Sequence, residues 1–250
     1  DVAGVGVYDA ATGAPIARAN HGGAAAHLAL SGDHLFVLNA RNGLRAYDVS
    51  DPVDPKLVQS LFSGTAYLLR AADDRLYVSD GGNGFRVFSI AAMPAMPLEG
   101  VLEVIIRGAA PRQGIVWGGS AELIGVDTRV PNAFEVIQTL DTTAQPRDTA
   151  LRGDTLVVAE AEAGMRLVDL SGPARTVARV STRGAAYGVA LDGDWAYIAD
   201  GPAGVAVMNV RDRFAPVYAS HVNTSGLATK AHGAGGRVYV ANGGGGLVVA

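Results

Sequence analysis

Short apolar runs, bounded by Gly, Pro, Asn and Asp, follow one another along the whole chain of 250 residues. The runs are rich in Val, Leu, Ile and aromatic residues, as in Leu35–Asn39 and Leu44–Asp48. Runs with these bounds are typical of β-strands, and no longer segment shows a competing helical period. The pattern therefore predicts an all-β protein.

The strand pattern repeats along the chain. Five segments share a turn of Gly-Asp or related residues, an apolar run, a Gly-rich turn and a second apolar run. The second runs close on polar residues whose successive spacings are 39, 41, 38, 42 and 40, so the period is about 40 residues. These closing residues are Asp9, Asp48, Ser89, Asp127, Asp169 and Asn209.

One repeat contains four predicted strands, which we label A to D. In residues 24–62, strand A lies near His27–Leu30, strand B at Leu35–Asn39, strand C at Leu44–Asp48 and strand D at Lys56–Leu61. Four short antiparallel strands in each 40-residue repeat are typical of a β-propeller blade. The chain is therefore predicted to be one β-propeller domain, 1–250.

The blade count follows from the strand count. One further blade would combine residues 1–23 with residues 223–250, so that N- and C-terminal strands close the ring. One C-like segment is then surplus, because residues 4–9 and 246–250 both qualify. Seven blades would need an A–B pair that the chain lacks, so six are predicted. The five complete blades are 24–62, 63–102, 103–141, 142–181 and 182–222.

The turns carry two further expectations. Gly at the end of each B–C turn suits a backbone with positive φ. Asp or Asn at the start of that turn can accept hydrogen bonds from the turn backbone; these residues are Asn39, Asp80, Asp200 and Asn242. The third repeat is irregular, since its A strand is predicted near residue 103 and its A–B turn, Ala109–Gln113, lacks Gly-Asp.

These repeats resemble the LVIVD repeat of β-propellers. The unit runs from a Gly-Asp turn through Gly-Leu-x-Val-x-Asp-Val-Ser to two prolines, and residues 32–55 match it best, followed by 193–209. The resemblance implies a propeller of a kind often found in exported or cell-surface proteins of bacteria and archaea. It implies no catalytic residues, because a shared fold does not carry a shared activity.

Composition narrows the function classes. The chain has 20 Lys and Arg residues and 24 Asp and Glu residues, so its net charge is −4. A negative net charge argues against general binding of nucleic acid. Cys is absent, so disulfides, thiolate nucleophiles and Cys-bound metals are excluded. No apolar run reaches the roughly 18 residues of a membrane span, and no signal peptide is visible in the chain. With only two lysines among its basic residues, the composition suggests GC-rich coding and a bacterial source.

Motifs that would identify an enzyme or a cofactor site are absent, and neither a cofactor nor a metal is predicted. Arg152-Gly153-Asp154 spells an integrin-type tripeptide, but related repeats have Ser-Gly-Asp and Asp-Gly-Asp in the same turn. A hairpin turn is the better interpretation. Carboxylates concentrate in the A–B and C–D loops, which predicts an acidic face partly offset by arginines.

Basic residues flank several A strands on the opposite face. If they ring the channel mouth, an anionic small molecule or an acidic side chain could bind there. The alternative is a set of scattered surface cations paired with nearby carboxylates. The candidates are His27, Arg107, Arg147, Arg183 and Lys230.

The favoured hypothesis is a non-catalytic interaction or structural module, exported or at the cell surface, with loops of one face binding a partner protein. Self-association through edge strands is a sharper version of it. The alternative is a six-bladed propeller enzyme of the metal-assisted hydrolase or lactonase type, with its site in the channel. Inward A-strand candidates for such a site are His27, Tyr67, Glu103, Asp148, Tyr187 and Lys230.

Overall fold

The computed structural model describes residues 4–9, 11–19, 25–39, 43–61 and 66–250. These residues form twenty-five β-strands and two short 3-10 turns, Gly81–Asn83 and Gly243–Gly245. The strands belong to two compact units, one of residues 1–106 with 128–135, the other of residues 107–127 with 136–250.

The first unit contains a hairpin and two four-stranded sheets. The hairpin pairs β1 (Val5–Tyr8) with β2 (Pro15–Ala19). Sheets 1 and 2 have their strands in sequence order, so each is an antiparallel meander. Sheet 1 is β3 (Ala25–Ser31), β4 (His34–Asn39), β5 (Gly43–Asp48) and β6 (Lys56–Ser60), and sheet 2 is β7 (Ala66–Ala72), β8 (Arg75–Asp80), β9 (Gly84–Ser89) and β10 (Leu98–Leu102).

The second unit contains sheets 3 to 6, again with strands in sequence order. Sheet 3 is β11 (Arg107–Arg112), β12 (Ile115–Gly119), β13 (Leu123–Asp127) and β14 (Glu135–Leu140). Sheet 4 is β15 (Asp148–Arg152), β16 (Thr155–Ala159), β17 (Met165–Asp169) and β18 (Arg175–Val180). Sheet 5 is β19 (Gly188–Asp192), β20 (Trp195–Ala199), β21 (Val205–Asn209) and β22 (Val217–Val222), and sheet 6 is β23 (Lys230–Ala234), β24 (Arg237–Ala241) and β25 (Leu247–Val249).

The four-stranded antiparallel blade predicted from the repeat is confirmed in sheets 1 to 5. Both C-like segments are strands, because residues 4–9 contain β1 and residues 246–250 contain β25. In the described part of the chain, β1 pairs with β2 and β25 with β24. The composite sixth blade and the single domain stay predictions.

The third repeat departs from the expectation. Its A strand is β11, which begins at Arg107 rather than near residue 103, and the predicted turn Ala109–Gln113 lies mostly within that strand. The actual turn is formed by Gln113 and Gly114, whose φ angles are 50° and 76°. Pro111 is tolerated in the strand because β11 is an edge strand of its sheet.

Neighbouring sheets bury their apolar faces against each other. Between sheets 4 and 5, Val157 and Leu167 share one buried cluster with Ile198 and Met208. Burial of this kind stabilises by about 25 cal/mol for each Å² of apolar surface removed from water. The alternation of inward and outward side chains along each strand therefore fixes which residues join adjacent sheets.

The glycine at the end of the B–C turn has the predicted positive φ in sheets 1, 2, 4, 5 and 6, whereas sheet 3 has Glu122 at this position. The angle is 75° at Gly43, 78° at Gly84, 81° at Gly164, 90° at Gly204 and 74° at Gly246. At Gly84, Gly164 and Gly204 a Cβ atom is excluded twice, because the D strand of the same sheet also comes close. At Gly204 the Cβ atom would collide with the carbonyl oxygen of Val222.

We predict that Gly204→Ala lowers the free energy of unfolding by about 2 kcal/mol or more, since both the backbone conformation and the contact with Val222 disfavour a side chain. The corresponding fall in Tm is about 4–8 °C for a chain of this size. Thermal unfolding followed by circular dichroism measures it. Gly172→Ala is the matched control, because nothing lies within 4 Å of a Cβ atom at Gly172. Equal effects of the two substitutions would contradict the prediction.

Candidate functional site

The A strands of the second unit approach each other closely. β11 packs against β15, β15 against β19, and β19 against β23. A Cβ atom on Gly108 would lie 2.6 Å from the Cα atom of Asp148, and one on Gly188 would lie 3.1 Å from the Cα atom of Lys230. Glycine in sheets 3 and 5 thus leaves room for the charged residues of sheets 4 and 6.

Asp148 and Lys230 form an ion pair at the start of these strands. The Lys230 Nζ atom lies 2.8 Å from the Asp148 Oδ2 atom, which also accepts a hydrogen bond of 3.2 Å from the Val189 N–H. The other carboxylate oxygen accepts a 3.0 Å bond from the N–H of Thr149. Asp148 is buried, so this carboxylate joins the A strands of sheets 4, 5 and 6.

Arg147 and Arg183 each lie over an aromatic ring. The Arg147 guanidinium carbon is 5.9 Å from the centroid of Tyr187, and that of Arg183 is 5.7 Å from the centroid of Tyr218. Both distances are typical of cation–π contacts. Tyr218 belongs to β22, the outermost strand of sheet 5, so Arg183 lies away from the start of its own A strand β19.

Two more of the predicted binding residues complete the set. Arg107 is the first residue of β11 and pairs with Gly119, whereas His27 lies on β3 in the first unit and pairs with Leu38. Of the five predicted residues, Lys230 thus has an acidic partner, Asp148. That His27, Arg107, Arg147, Arg183 and Lys230 together form one anion-binding site stays a prediction. Within the described residues, no group of three or more Asp, Glu or His side chains is placed to hold a metal ion.

A buried ion pair, which the sequence reasoning missed, spans the B–C turn of sheet 4. The Arg166 Nη2 atom lies 2.5 Å from the Glu160 Oε1 atom, and both side chains are buried. The Arg166 Nη1 group also donates a 2.8 Å hydrogen bond to the carbonyl oxygen of Asp141. Sheet 2 has the same spacing of six residues, with Arg86 3.7 Å from Asp80. The sequence did contain a signal for this ion pair, namely an acidic residue six positions before an Arg with a Gly turn between them.

The predicted acceptor residues have different donors from those expected. Asp200 accepts hydrogen bonds from the Thr182 hydroxyl (2.6 Å) and the Gly184 N–H (2.8 Å), and Asn242 accepts one from the Gly226 N–H (3.0 Å). These donors belong to the loop that precedes the A strand, not to the B–C turn. The prediction of turn-backbone donors is therefore wrong at Asp200 and Asn242, because the D–A loop folds back onto the turn.

Burial has opposite effects on the partners in the Glu160–Arg166 pair. It raises the pKa of Glu160 and lowers the pKa of Arg166, since a buried site disfavours either charge. The opposite charge of the partner acts against both shifts. The pair is thus held in its ionised form by mutual attraction. Without Arg166, the buried Glu160 carboxylate would keep only the charge of Arg179 and a 3.3 Å hydrogen bond from the Thr143 hydroxyl.

Charged residues at the other end of the A strands link consecutive sheets. The Arg112 Nη1 atom lies 2.5 Å from Asp154 of the next sheet, and the Arg152 Nη1 atom lies 2.8 Å from Asp194 of the sheet after it. The Asp192 carboxylate accepts a 3.3 Å bond from the Gly236 N–H. Both charged residues of the Arg-Gly-Asp tripeptide are thus engaged by neighbouring sheets, in agreement with its interpretation as a structural turn.

A group of aromatic and basic side chains on sheets 4 and 5 is exposed. Phe214 is 54% and Tyr218 is 42% exposed. The guanidinium carbons of Arg175 and Arg213 lie 5.8 and 5.4 Å from the Phe214 ring centroid. With the Arg183–Tyr218 contact, these residues make up what we call the rim patch: Arg175, Arg183, Arg213, Phe214 and Tyr218.

We predict that Arg166→Met destabilises the protein by about 3–5 kcal/mol at pH 7, because the buried Glu160 carboxylate loses its ion-pair partner and keeps only the charge of Arg179. Without Arg166, burial raises the pKa of Glu160 further. The stability of the variant is then greatest below the ordinary Glu pKa of about 4.3 and falls as the pH rises towards 7. Urea unfolding from pH 4 to pH 7 measures this.

The double variant Glu160→Gln/Arg166→Met is the control. It removes both charges, so its stability relative to the wild type should depend much less on pH than that of Arg166→Met. A pH-independent loss in the single variant would show that Arg166 acts through packing alone.

Comparison with known proteins agrees with this fold. The family model described as LVIVD repeat matches residues 22–62 and 183–224, which include both segments singled out in the sequence. The search of curated protein sequences found no match. Among the described residues, no helix is long and apolar enough to span a membrane.

Two solved structures show the similarity in three dimensions. The computationally designed Ika8 protein is 13% identical, with a TM-score of 0.76 over 99% of this chain and 77% of that chain. The Cps50 (Swd1) β-propeller domain of Myceliophteria thermophila is 11% identical, with a TM-score of 0.76 over 98% of this chain and 89% of that chain. At these identities the similarity concerns the fold. The chain therefore carries LVIVD repeats on a six-bladed β-propeller built from four-stranded antiparallel blades.

Proposed function

We propose that the protein is a non-catalytic protein-interaction module, exported or displayed at the cell surface, which binds its partner through the rim patch. The observation that carries this proposal is the exposure of Phe214 and Tyr218 beside three arginines. Aromatic residues and Arg are enriched in protein interfaces and supply most of the binding energy there. The proposed export rests on the resemblance to LVIVD-repeat proteins.

The charges of the rim patch favour a partner with acidic side chains. Arg175 and Arg213 lie 3.1 and 3.0 Å from the two oxygens of Asp169, so one carboxylate is shared by two cations. Arg183 adds a third positive charge. The excess of positive charge at this patch contrasts with the net charge of −4 of the whole chain and gives the patch its own electrostatic preference.

The rim patch combines side chains from two kinds of loop, since Arg183 lies in the D–A loop between β18 and β19 and Phe214 in a C–D loop. Phe214 lies in the loop between β21 and β22, where the Asp212 carboxylate accepts a 2.9 Å hydrogen bond from the Phe214 N–H. Arg175 and Arg213 flank the ring from two different sheets. The ring is thereby held in an exposed position, which lowers the entropy lost when a partner covers it.

The test is selection of linear peptides from a display library on the wild-type protein. We expect the selected peptides to be rich in acidic and aromatic residues and to bind the wild type at least tenfold more tightly than Phe214→Ala/Tyr218→Ala. The expected loss, about 1.4 kcal/mol or more, is typical of an interface anchor. Binding is measured by fluorescence anisotropy.

Val53→Ala/Val130→Ala is the matched control, since both valines are 60% exposed and neither belongs to the rim patch. Peptides that bind this control and the wild type alike would support the proposal. Equal binding to Phe214→Ala/Tyr218→Ala, or a failure to select any peptide, would count against it.

A further inference from the structure

Sheets 3 and 4, both of the second unit, enclose a crevice of about 250 Å³. Trp117 of β12 and Ile137 of β14 line it on the side of sheet 3. Leu170, Gly172 and Ala174, which belong to the C–D loop of sheet 4, line it on the other side. We call this space the inter-sheet crevice.

The inter-sheet crevice exists because the C–D loop of sheet 4 is shorter than the repeat requires. In sheet 5, Asn209 at the end of the C strand pairs with Val217 of the D strand, eight positions later, and sheet 1 has the same spacing. In sheet 4, Asp169 pairs with Arg175, only six positions later. The short loop also contains Gly172, where nothing lies within 4 Å of a Cβ atom. Two residues and one side chain are thus missing beside sheet 3.

The indole ring of Trp117 packs onto its own sheet. Trp117 pairs with Gly125 of β13, and a Cβ atom on Gly125 would lie 2.8 Å from the Trp117 Cζ2 atom. The corresponding position of the C strand is Leu167 in sheet 4 and Val207 in sheet 5. Glycine in place of these side chains lets the ring lie against sheet 3, where it forms one wall of the inter-sheet crevice.

Two polar side chains at the inter-sheet crevice, Arg112 and Gln138, already have partners within the protein. The Gln138 side-chain amide donates a 2.7 Å hydrogen bond to the Ala174 carbonyl and accepts a 3.0 Å bond from the Ala174 N–H. Arg112 forms a 2.5 Å ion pair with Asp154. The Gln138 contacts fix the loop of sheet 4 to the D strand of sheet 3, so the crevice is preformed. Its walls favour an uncharged, apolar occupant.

The inter-sheet crevice borders the rim patch. Leu170 and Ala174 line the crevice, and the residues next to them in the chain are Asp169 and Arg175, whose side chains form an ion pair in the rim patch. Consecutive Cα atoms are about 3.8 Å apart, so one bound peptide can reach both places. Pockets for drug-sized ligands have volumes of roughly 300–1,000 Å³. The smaller crevice is therefore suited to a single side chain.

We propose that the partner bound at the rim patch places one large apolar side chain in the inter-sheet crevice. Acidic side chains of the partner face Arg175 and Arg213, where the charges are complementary. The apolar side chain contacts Trp117, Ile137 and Leu170. An apolar anchor in a preformed pocket is typical of the residues that supply most of the binding energy of an interface. The inference rests on the proposed function of the rim patch and specifies which partner segment binds there.

The first test is the affinity of peptides selected on the wild-type protein for a variant of Ile137, which lines the crevice and is 45% exposed. We expect Ile137→Gln to bind them at least tenfold more weakly, because the apolar side chain of the peptide would desolvate the new amide group. Val136→Gln is the matched control and should bind like the wild type, since Val136 is 42% exposed on the same strand and does not line the crevice. Binding is measured by fluorescence anisotropy, and circular dichroism checks that both variants are folded.

The second test locates the anchoring side chain of the peptide. Each large apolar residue of a selected peptide is replaced by Ala, and the anchor is the position whose replacement weakens binding to the wild type but has little effect on binding to Ile137→Gln. The chain has two tryptophans, so Trp195→Phe leaves Trp117 as the only one. We expect 4-bromophenylalanine at the anchor position of a Trp-free peptide to quench Trp117, because bromine quenches indole fluorescence only at short range. Trp117→Phe, which keeps Trp195 of sheet 5, is the control and should show much less quenching.

Peptides that need Phe214 and Tyr218 but bind Ile137→Gln as tightly as the wild type would overturn this inference and leave the proposed function standing. Quenching of Trp195 rather than Trp117 would do the same. Peptides that need Ile137 but neither aromatic residue of the rim patch would support the crevice as a binding site and overturn the proposed function. A library that yields no binding peptide would overturn both.

Discussion

The structure depends on burial of the apolar face of one sheet against the next. A single sheet would leave its apolar faces in water, and clusters such as Val157 and Leu167 with Ile198 and Met208 bury them between neighbouring sheets. The C–D loop of the following sheet adds to this contact where Ile115 of sheet 3 and Leu170 of sheet 4 share one cluster.

Charged and polar residues act where this apolar contact ends. The A strands pack most closely at Gly108 and Gly188, where a Cβ atom would meet the backbone at Asp148 and Lys230. Lys230, the ion-pair partner of Asp148, belongs to sheet 6, two sheets further along the chain. Together with the hydrogen bond from Val189, the Asp148 carboxylate therefore links sheets 4, 5 and 6, whereas the apolar clusters join these sheets only in pairs. Only the Asp148 carboxylate of this pair is buried, so removal of Lys230 would leave a buried charge with its backbone hydrogen bonds alone.

Much of the fold could be predicted because its determinants are local. The period of about 40 residues, the strand order and the positive φ at Gly164 and Gly204 follow from patterns within one repeat. The predictions were wrong at positions whose structure depends on contacts outside the repeat pattern. Asp200 accepts a hydrogen bond from Thr182 of an earlier loop, and Pro111, which lacks a backbone N–H, is tolerated in β11 because β11 is an edge strand. Among the basic candidates, the sequence could not show that Arg183 reaches Tyr218 rather than an A strand, since side-chain direction depends on tertiary packing.

In a repeat protein, departures from the repeat are more informative than the repeat itself. Packing imposes an apolar residue at the same position of several blades, as with the buried residues that follow the C-strand glycines of sheets 1, 2, 4 and 5. Phe214 and Tyr218 are not required by that constraint, because large apolar side chains at exposed positions gain nothing from burial in the fold. Arg175, Arg183 and Arg213 lie over these two rings, but cation–π contacts at exposed sites contribute only about 0.5–1 kcal/mol each, so the rings add little to the stability of the folded chain.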